Sequence, residues 1–255
     1  MTTNAHIEEQ TKKLYEDIHP FVDVEYAINN YLSTTGLGPD FFKDKDVLDC
    51  GFGGTGWALE LFARSGVRHL AGIDLNERWR DLNIKRLERY TCKKDIRAGS
   101  VLNLPFEDNS FDYVHSNGVL HHTTDWKKGA SEMARVLRPG GTMFLMLYGK
   151  FAPVGALIHG TYRFLGKVIP YTWTSAFVKK TGFLRHSEIS LLDAMYVPIE
   201  DHLSEKEIFD HLQSLGLENP RWFESLKWKN HPVLSHPLLF GRKLQHNILA
   251  DKPKR

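Results

Sequence analysis

Val47-Leu48-Asp49-Cys50-Gly51-Phe52-Gly53-Gly54-Thr55-Gly56 decides the fold. A short apolar run enters a glycine-rich turn, and Trp57 to Ala63 then repeats apolar residues at helical spacing until Gly66, which ends it as a left-handed C-cap does. Strand, glycine turn and helix in that order open a parallel α/β unit. Downstream the alternation continues. His69 to Asp74 reads as a second strand, Glu77 to Tyr90 as a helix, and Ile96-Arg97-Ala98 as a third strand. Phe111 to Ser116 is a fourth strand, and Trp126, Ala130, Met133, Ala134 and Leu137 mark a helix stopped by Pro139-Gly140-Gly141. Thr142 to Tyr148 is a fifth strand. Strands separated by helices of this length predict a mostly parallel sheet with helices on both faces.

The flanks differ. The first forty residues predict amphipathic helices, with Leu14, Ile18 and Phe21 in register, a break at Pro20, and a second run from Val24 to Leu32. After Lys150 the alternation lapses. Residues 151–200 are aromatic-rich, and Val154, Leu157, Ile158, Phe164, Leu165 and Val168 predict one amphipathic helix in otherwise irregular chain. Ser204 with Glu207 is a capping box, followed by the apolar stripe Ile208, Phe209, Leu212 and Leu215 and by Gly216. Arg221 to Leu226 and Pro237 to Leu244 predict two closing strands. The division is thus an N-terminal helical lid (1–40), a core (41–150 and 201–245), a cap insertion (151–200) and a frayed tail (246–255).

Composition narrows the function. With 42% hydrophobic residues in 255 the chain can offset its ordering entropy, so it is not a disordered segment. Its 33 basic and 31 acidic residues supply no chain-wide attraction for nucleic acid. Two cysteines make neither a disulfide framework nor a four-thiolate zinc site. The opening MTTNAHIEEQTKK lacks a signal-peptide core, and no apolar run is long enough to span a bilayer, so a cytoplasmic location is expected.

Ligands of open parallel sheets bind at the carboxyl ends of strands near the switch point. The turn after the first strand contains G-x-G-x-x-G, a weak signal by itself, compatible with a dinucleotide. Asp49 precedes it where a pyrophosphate-binding turn has no charge to satisfy, and Asp74 ends the second strand, placed to accept from a ribose. The alternative role for either aspartate is to cap the helix that follows. The fourth strand runs into Asn117-Gly118-Val119-Leu120-His121-His122.

With VLDCGFGGTG, AGIDLN, LPFEDNSFDYVHSNGVLHHTTD and EMARVLRPGGTMFLMLY, residues 46–148 resemble the small-molecule branch of the class I S-adenosylmethionine-dependent methyltransferases. The resemblance implies a Rossmann-like, mostly parallel seven-stranded sheet with a capping insertion. It implies S-adenosylmethionine as cofactor, with Asp49 near the methionyl amino group and Gly51 and Gly53 admitting the nucleoside. The turn carries one glycine beyond the family's usual pattern, so Gly54 and Gly56 compete for the third slot. It also implies Asp74 and Leu75 at the ribose, Ser100 and Val101 at the adenine, and Asn117 by the methionine. Tyr15, with His19 and Phe21, resembles the branch's N-terminal lid.

For chemistry, His121 is expected to act as a general base, with His122 in support, since an unperturbed histidine suits proton removal near neutrality. Adjacent histidines are expected to diverge, which argues against a metal at His121-His122-Asp125, and no metal is assigned. The other histidines, His159 and His202 among them, show no pattern. Neither Cys50 nor Cys92 has the setting of a nucleophile. The expected reaction is methyl transfer to a small, partly apolar acceptor, at oxygen or nitrogen. Alternatives are a nicotinamide-dependent oxidoreductase and a cofactor-holding module without turnover. No nucleic-acid partner and no stable membrane insertion are expected. Peripheral association remains open through the helix around Val154 to Val168, where Arg163 and Lys167 supply positive charge.

Overall fold

The computed structural model describes residues 4–17, 23–181, 188–224 and 245–254. Two helices lead, α1 (Asn4–Asp17) and α2 (Val24–Thr35). Asp23 caps α2, its carboxylate accepting from the Tyr26 amide. The alternating region follows as β1 (Asp46–Cys50), α3 (Trp57–Arg64), β2 (His69–Asp74), α4 (Glu77–Leu87), β3 (Lys93–Ala98) and β4 (Phe111–Asn117). Then come α5 (Trp126–Val136), β5 (Leu137–Tyr148), the cap helices α6 (Pro153–Val168), α7 (Tyr171–Thr181) and α8 (Glu188–Tyr196), and finally α9 (Glu205–Ser214), β6 (Glu218–Phe223) and β7 (Gln245–Asp251).

Among the described residues one seven-stranded sheet forms, in the order β3-β2-β1-β4-β5-β7-β6. β1 to β5 run parallel, and β7 pairs antiparallel with both β5 and β6. The expected fold class stands. β1 lies in the middle, buried on both faces. Leu48 and Cys50 face a core shared with α5 and α9, whereas Val47 faces the opposite core with α2, α3 and α4. That alternation is the period of two that a pleated strand imposes. The chain order reverses between β1 and β4, which puts the switch point at their carboxyl ends.

Three boundaries depart from expectation. α5 ends at Val136 rather than at Pro139-Gly140-Gly141, and Leu137 is already extended and paired with Phe111. Pro139 withholds an amide and disfavours helical backbone at Arg138, so the helix closes a turn early and β5 begins there. The second difference is larger. Residues 246–251 are no tail, because β7 threads between β5 and β6 with His246 to Ala250 buried. A strand buried on both faces lacks polar alternation, and His246 and Asn247 disguised its apolar run. The expected strand Pro237 to Leu244 and the end of the Arg221 to Leu226 run, beyond β6, lie outside the described residues. So do Ile18, His19, Pro20 and Phe21. Third, the cap insertion holds three helices, not one with irregular surroundings.

Candidate functional site

A cavity of about 250 Å³ opens at the switch point, walled by the turns after β1, β2, β3 and β4 and roofed by α1. Gly51, Gly53, Asp74, Leu75, Ser100, Val101, Asn117, Tyr15 and His122 of the expected set all line it. The glycine turn explains part of this shape. Gly51 has φ +83°, and a Cβ there would sit 2.2 Å from a Val119 methyl. Gly53 has φ +58° with open space around it, so the wall at that point is bare backbone. Gly56 stands outside the cavity wall. It has φ +55° at the start of α3, and a Cβ there would lie 1.8 Å from Asn83 Oδ1. Gly54 faces the cavity for another reason, its missing side chain leaving room for the Trp79 ring.

Asp74 lines the cavity beside the glycine turn. One carboxylate oxygen accepts from the Gly53 amide (2.8 Å) and the other from the Asn76 amide (3.0 Å). Each oxygen keeps a second lone pair for a ligand hydroxyl. Burial pushes its pKa up to about 6, against the pull of the two amides.

Two expected cofactor residues stand elsewhere. Asp49 and Gly56 are not in the cavity wall. Asp49 is buried, held by His115 Nδ1 at 2.7 Å, and its Oδ2 has no hydrogen-bond partner. His115 sits among Tyr31, Trp57, Phe62 and Phe144. Asp49 thus underlies the turn as an acceptor anchored from behind.

The histidine pair is reversed. Leu120–His122 forms a short 3-10 turn in which the two rings touch at 4.1 Å between centroids rather than diverging. His121, the expected base, is fully buried, stacked on Tyr148 and absent from the cavity wall. Burial holds its pKa well below the histidine norm, helped by His122 and His202, so it stays neutral. His122 is the ring that faces the cavity. Its Nδ1 donates to the Ile199 carbonyl (3.0 Å), which leaves Nε2 to face Asp193 at 3.3 Å. Burial opposes a charged His122, but Asp193 outweighs it and raises the pKa.

Asp193 itself, on α8, was not anticipated. Besides His122 it accepts from the Tyr15 hydroxyl of α1 and from the Tyr148 hydroxyl of β5 (3.1 Å). Burial and the neighbouring carboxylate hold both phenols well above their usual pKa, so both remain donors. Four elements distant in sequence meet here, and no local spacing announces such a cluster. An aspartate in a mainly apolar helix, Leu191-Leu192-Asp193-Ala194-Met195, was the available signal.

Beyond the cavity, His159, Glu200 and His202 bring ligand atoms within 4.8 Å of one another. Here His159 Nε2 meets Glu200 at 2.8 Å and His202 Nε2 lies 3.5 Å from it. Burial would raise Glu200, yet the two histidines hold it down at about 2. Cys50 and Cys92 are both shifted up by burial, which disfavours thiolates.

A family described as Methyltransferase domain matches residues 48–145. Phosphoethanolamine N-methyltransferase 2 of Caenorhabditis elegans is 36% identical over 112 residues, which is 44% of this chain and 25% of that protein. Demethylmenaquinone methyltransferase of Bacillus cereus is 26% identical over 147 residues, 54% of this chain and 62% of that protein. A chain of the Haloferax volcanii complex between the Trm112 methyltransferase activator and a methyltransferase superposes with a TM-score of 0.59 at 16% identity. That superposition covers 98% of both chains and bears on the fold. The chain spans a quarter to about three-fifths of the length of these curated relatives.

Proposed function

The chain carries a class I S-adenosylmethionine-dependent methyltransferase domain, and from that premise we propose that it methylates a small, partly apolar acceptor at oxygen or nitrogen. The observation that carries this reading is the shared cavity. The glycine turn and Asp74 line one end, and His122 and Tyr15 line the other. The residues fit the cofactor. Asp74 offers spare lone pairs to ribose hydroxyls, and Gly51 and Gly53 present backbone where a nucleoside must approach. When bound, S-adenosylmethionine supplies an electrophilic methyl on a sulfonium leaving group.

The protein's own part is alignment and proton handling. α1 closes over the cavity and excludes water, and in-line positioning is worth about 7–11 kcal/mol. Where the acceptor carries a proton, His122 Nε2 takes it. Nδ1 is committed as a donor to Ile199 and Nε2 faces Asp193 at 3.3 Å, so the proton taken comes to lie between Nε2 and that carboxylate. Asp193 then stabilises the imidazolium that results. The base role therefore moves from His121 to His122, and His121 supports it by packing.

The relatives' names speak of a phosphorylated amine and a quinone ring, and either class of acceptor atom suits a base at His122. Transfer of labelled methyl from S-adenosylmethionine to a panel of amines, phenols and hydroquinones tests the reading. Labelled product from at least one class is expected. Tight cofactor binding with no product from any class would leave a cofactor-holding module instead.

A further inference from the structure

The cap helix α6 is turned inside out. Val154, Leu157, Phe164 and Val168 follow the helical repeat along one stripe and are 43%, 73%, 63% and 60% exposed. The buried position on that helix is Gly155. Gly166 packs so closely on α8 that a Cβ there would lie 2.0 Å from the Met195 carbonyl oxygen. A helix covering a sheet normally buries its large apolar stripe and shows its small or polar residues. Here glycines form the inner contact and the large residues face out. α7 continues the pattern, since Trp173 is 72% exposed while Ser175 and Val178 are buried. Large apolar side chains left exposed along cap helices in this way mark an interaction site.

The charge around it selects the partner. From Phe151 to Thr181 the sequence contains no aspartate or glutamate. Lys167 and Lys180 are exposed there. Arg163, which the sequence offered as a second positive group, instead turns inward to the Val197 and Pro198 carbonyls. Two copies of this cationic face would repel each other, whereas lysines flanking exposed Leu, Phe and Trp fit the headgroup zone of an anionic bilayer. No helix among the described residues is long and apolar enough to cross a membrane.

We propose that the outer face of α6 and α7 docks on an anionic lipid surface, with Leu157, Phe164, Val168 and Trp173 entering the acyl boundary and Lys167 and Lys180 meeting the headgroups. The face lies outside the cofactor cavity, so docking is measured without cofactor and stands apart from the acceptor's identity. The experiment is vesicle flotation of the full chain with phosphatidylcholine alone and with phosphatidylcholine containing phosphatidylglycerol. Wild type is expected to float with the anionic vesicles and to be released by salt. The Leu157→Asp/Phe164→Asp variant is expected to lose at least tenfold in partitioning. Lys167→Glu/Lys180→Glu is expected to lose the preference for anionic lipid. Both variants should keep the wild-type melting temperature, as the replaced side chains are already exposed. Equal flotation of wild type and Leu157→Asp/Phe164→Asp overturns the proposal. So does a dimer in sedimentation that the same substitutions dissolve while wild type fails to float, because the face is then a contact between copies.

Discussion

At the glycine turn the cavity wall is backbone, whereas at Tyr15 and His122 it is side chains of α1 and of the turn after β4, held from behind by Asp193 of α8. The first kind of wall is set by torsion angles, such as φ +83° at Gly51, and by two amides closing on Asp74. The second is set by packing of elements far apart in sequence. The turn is therefore intolerant of added atoms but indifferent to chemistry. The Asp193 cluster is the reverse, since shape-conserving changes there remove a proton site without disturbing the fold. Changes at the two ends should separate into effects on binding and effects on turnover.

The largest expected effect is at the side-chain end. His122→Ala should lower kcat by about 10²–10⁴, the usual worth of general-base assistance, with cofactor affinity retained. The wild-type pH–rate profile should show an acidic limb above the ordinary histidine pKa, because Asp193 raises that of His122, and the variant should lack it. His121→Ala should instead lower stability by opening a cavity against Tyr148, with a smaller change in kcat. If His121→Ala removes the acidic limb and His122→Ala does not, the reassignment of the base is wrong.

The contrast between the ends also governs what the sequence revealed. The glycine turn and Asp74 could be placed from local strand ends and turns, whereas Ser100, Val101 and Asn117 came with the family resemblance, and all of them line the cavity. That β1 to β5 run parallel followed from the alternation of strands and helices; their spatial order did not. Asp193 was not legible, because the cluster is made by tertiary packing of a cap whose helices leave apolar residues outside. Which histidine faces the cavity depends on the phase of a single 3-10 turn, and a shift of one residue exchanges the two rings. β7 was missed for a related reason, its pattern being set by burial on both faces.

Next in size is the backbone end. Gly51→Ala forces a Cβ to 2.2 Å from Val119 at a left-handed φ. Overpacking of this kind costs about 1–3 kcal/mol, to be read from denaturant unfolding of the cofactor-free protein. Gly53→Ala, with nothing within 4 Å of the added atom, should cost less stability and should mainly weaken cofactor binding. Equal destabilisation by the two would contradict a wall defined by close approach at Gly51.

Asp74→Ala comes third, with at least tenfold weaker cofactor affinity by calorimetry, from the loss of charged hydrogen bonds of about 1.5–3 kcal/mol each. Its pH dependence gives a sharper test. Folding raises this carboxyl from 3.8 to about 6, so the free protein holds the proton below about pH 6 and loses stability as pH rises through that window. Ribose hydroxyls need the anion as acceptor. Affinity should therefore rise with pH up to about 6 and then level off, and Asp74→Asn should abolish the slope. A slope that persists in Asp74→Asn would move the titration to another group.

The smallest effect is expected where the lid meets each end. α1 is pinned at Lys12 by Glu77 at 2.5 Å, an exposed pair, and at Tyr15 by the buried Asp193. Exposed pairs contribute little and are screened by salt, so Lys12→Ala should speed cofactor release by less than about fivefold, and added salt should reproduce that in wild type. Tyr15→Phe removes a donor from a buried carboxylate, which water cannot replace, so its effect should exceed that of Lys12→Ala and persist at high salt. Because Tyr15 and His122 share Asp193, Tyr15→Phe should also raise the pKa of the acidic limb, as the carboxylate loses a competing donor and its charge is felt more fully by the imidazole. Stopped-flow release and the pH–rate profile read the two consequences separately. If Tyr15→Phe alters release but leaves the acidic limb in place, the lid and the base are not linked through Asp193, and the side-chain end is two sites rather than one.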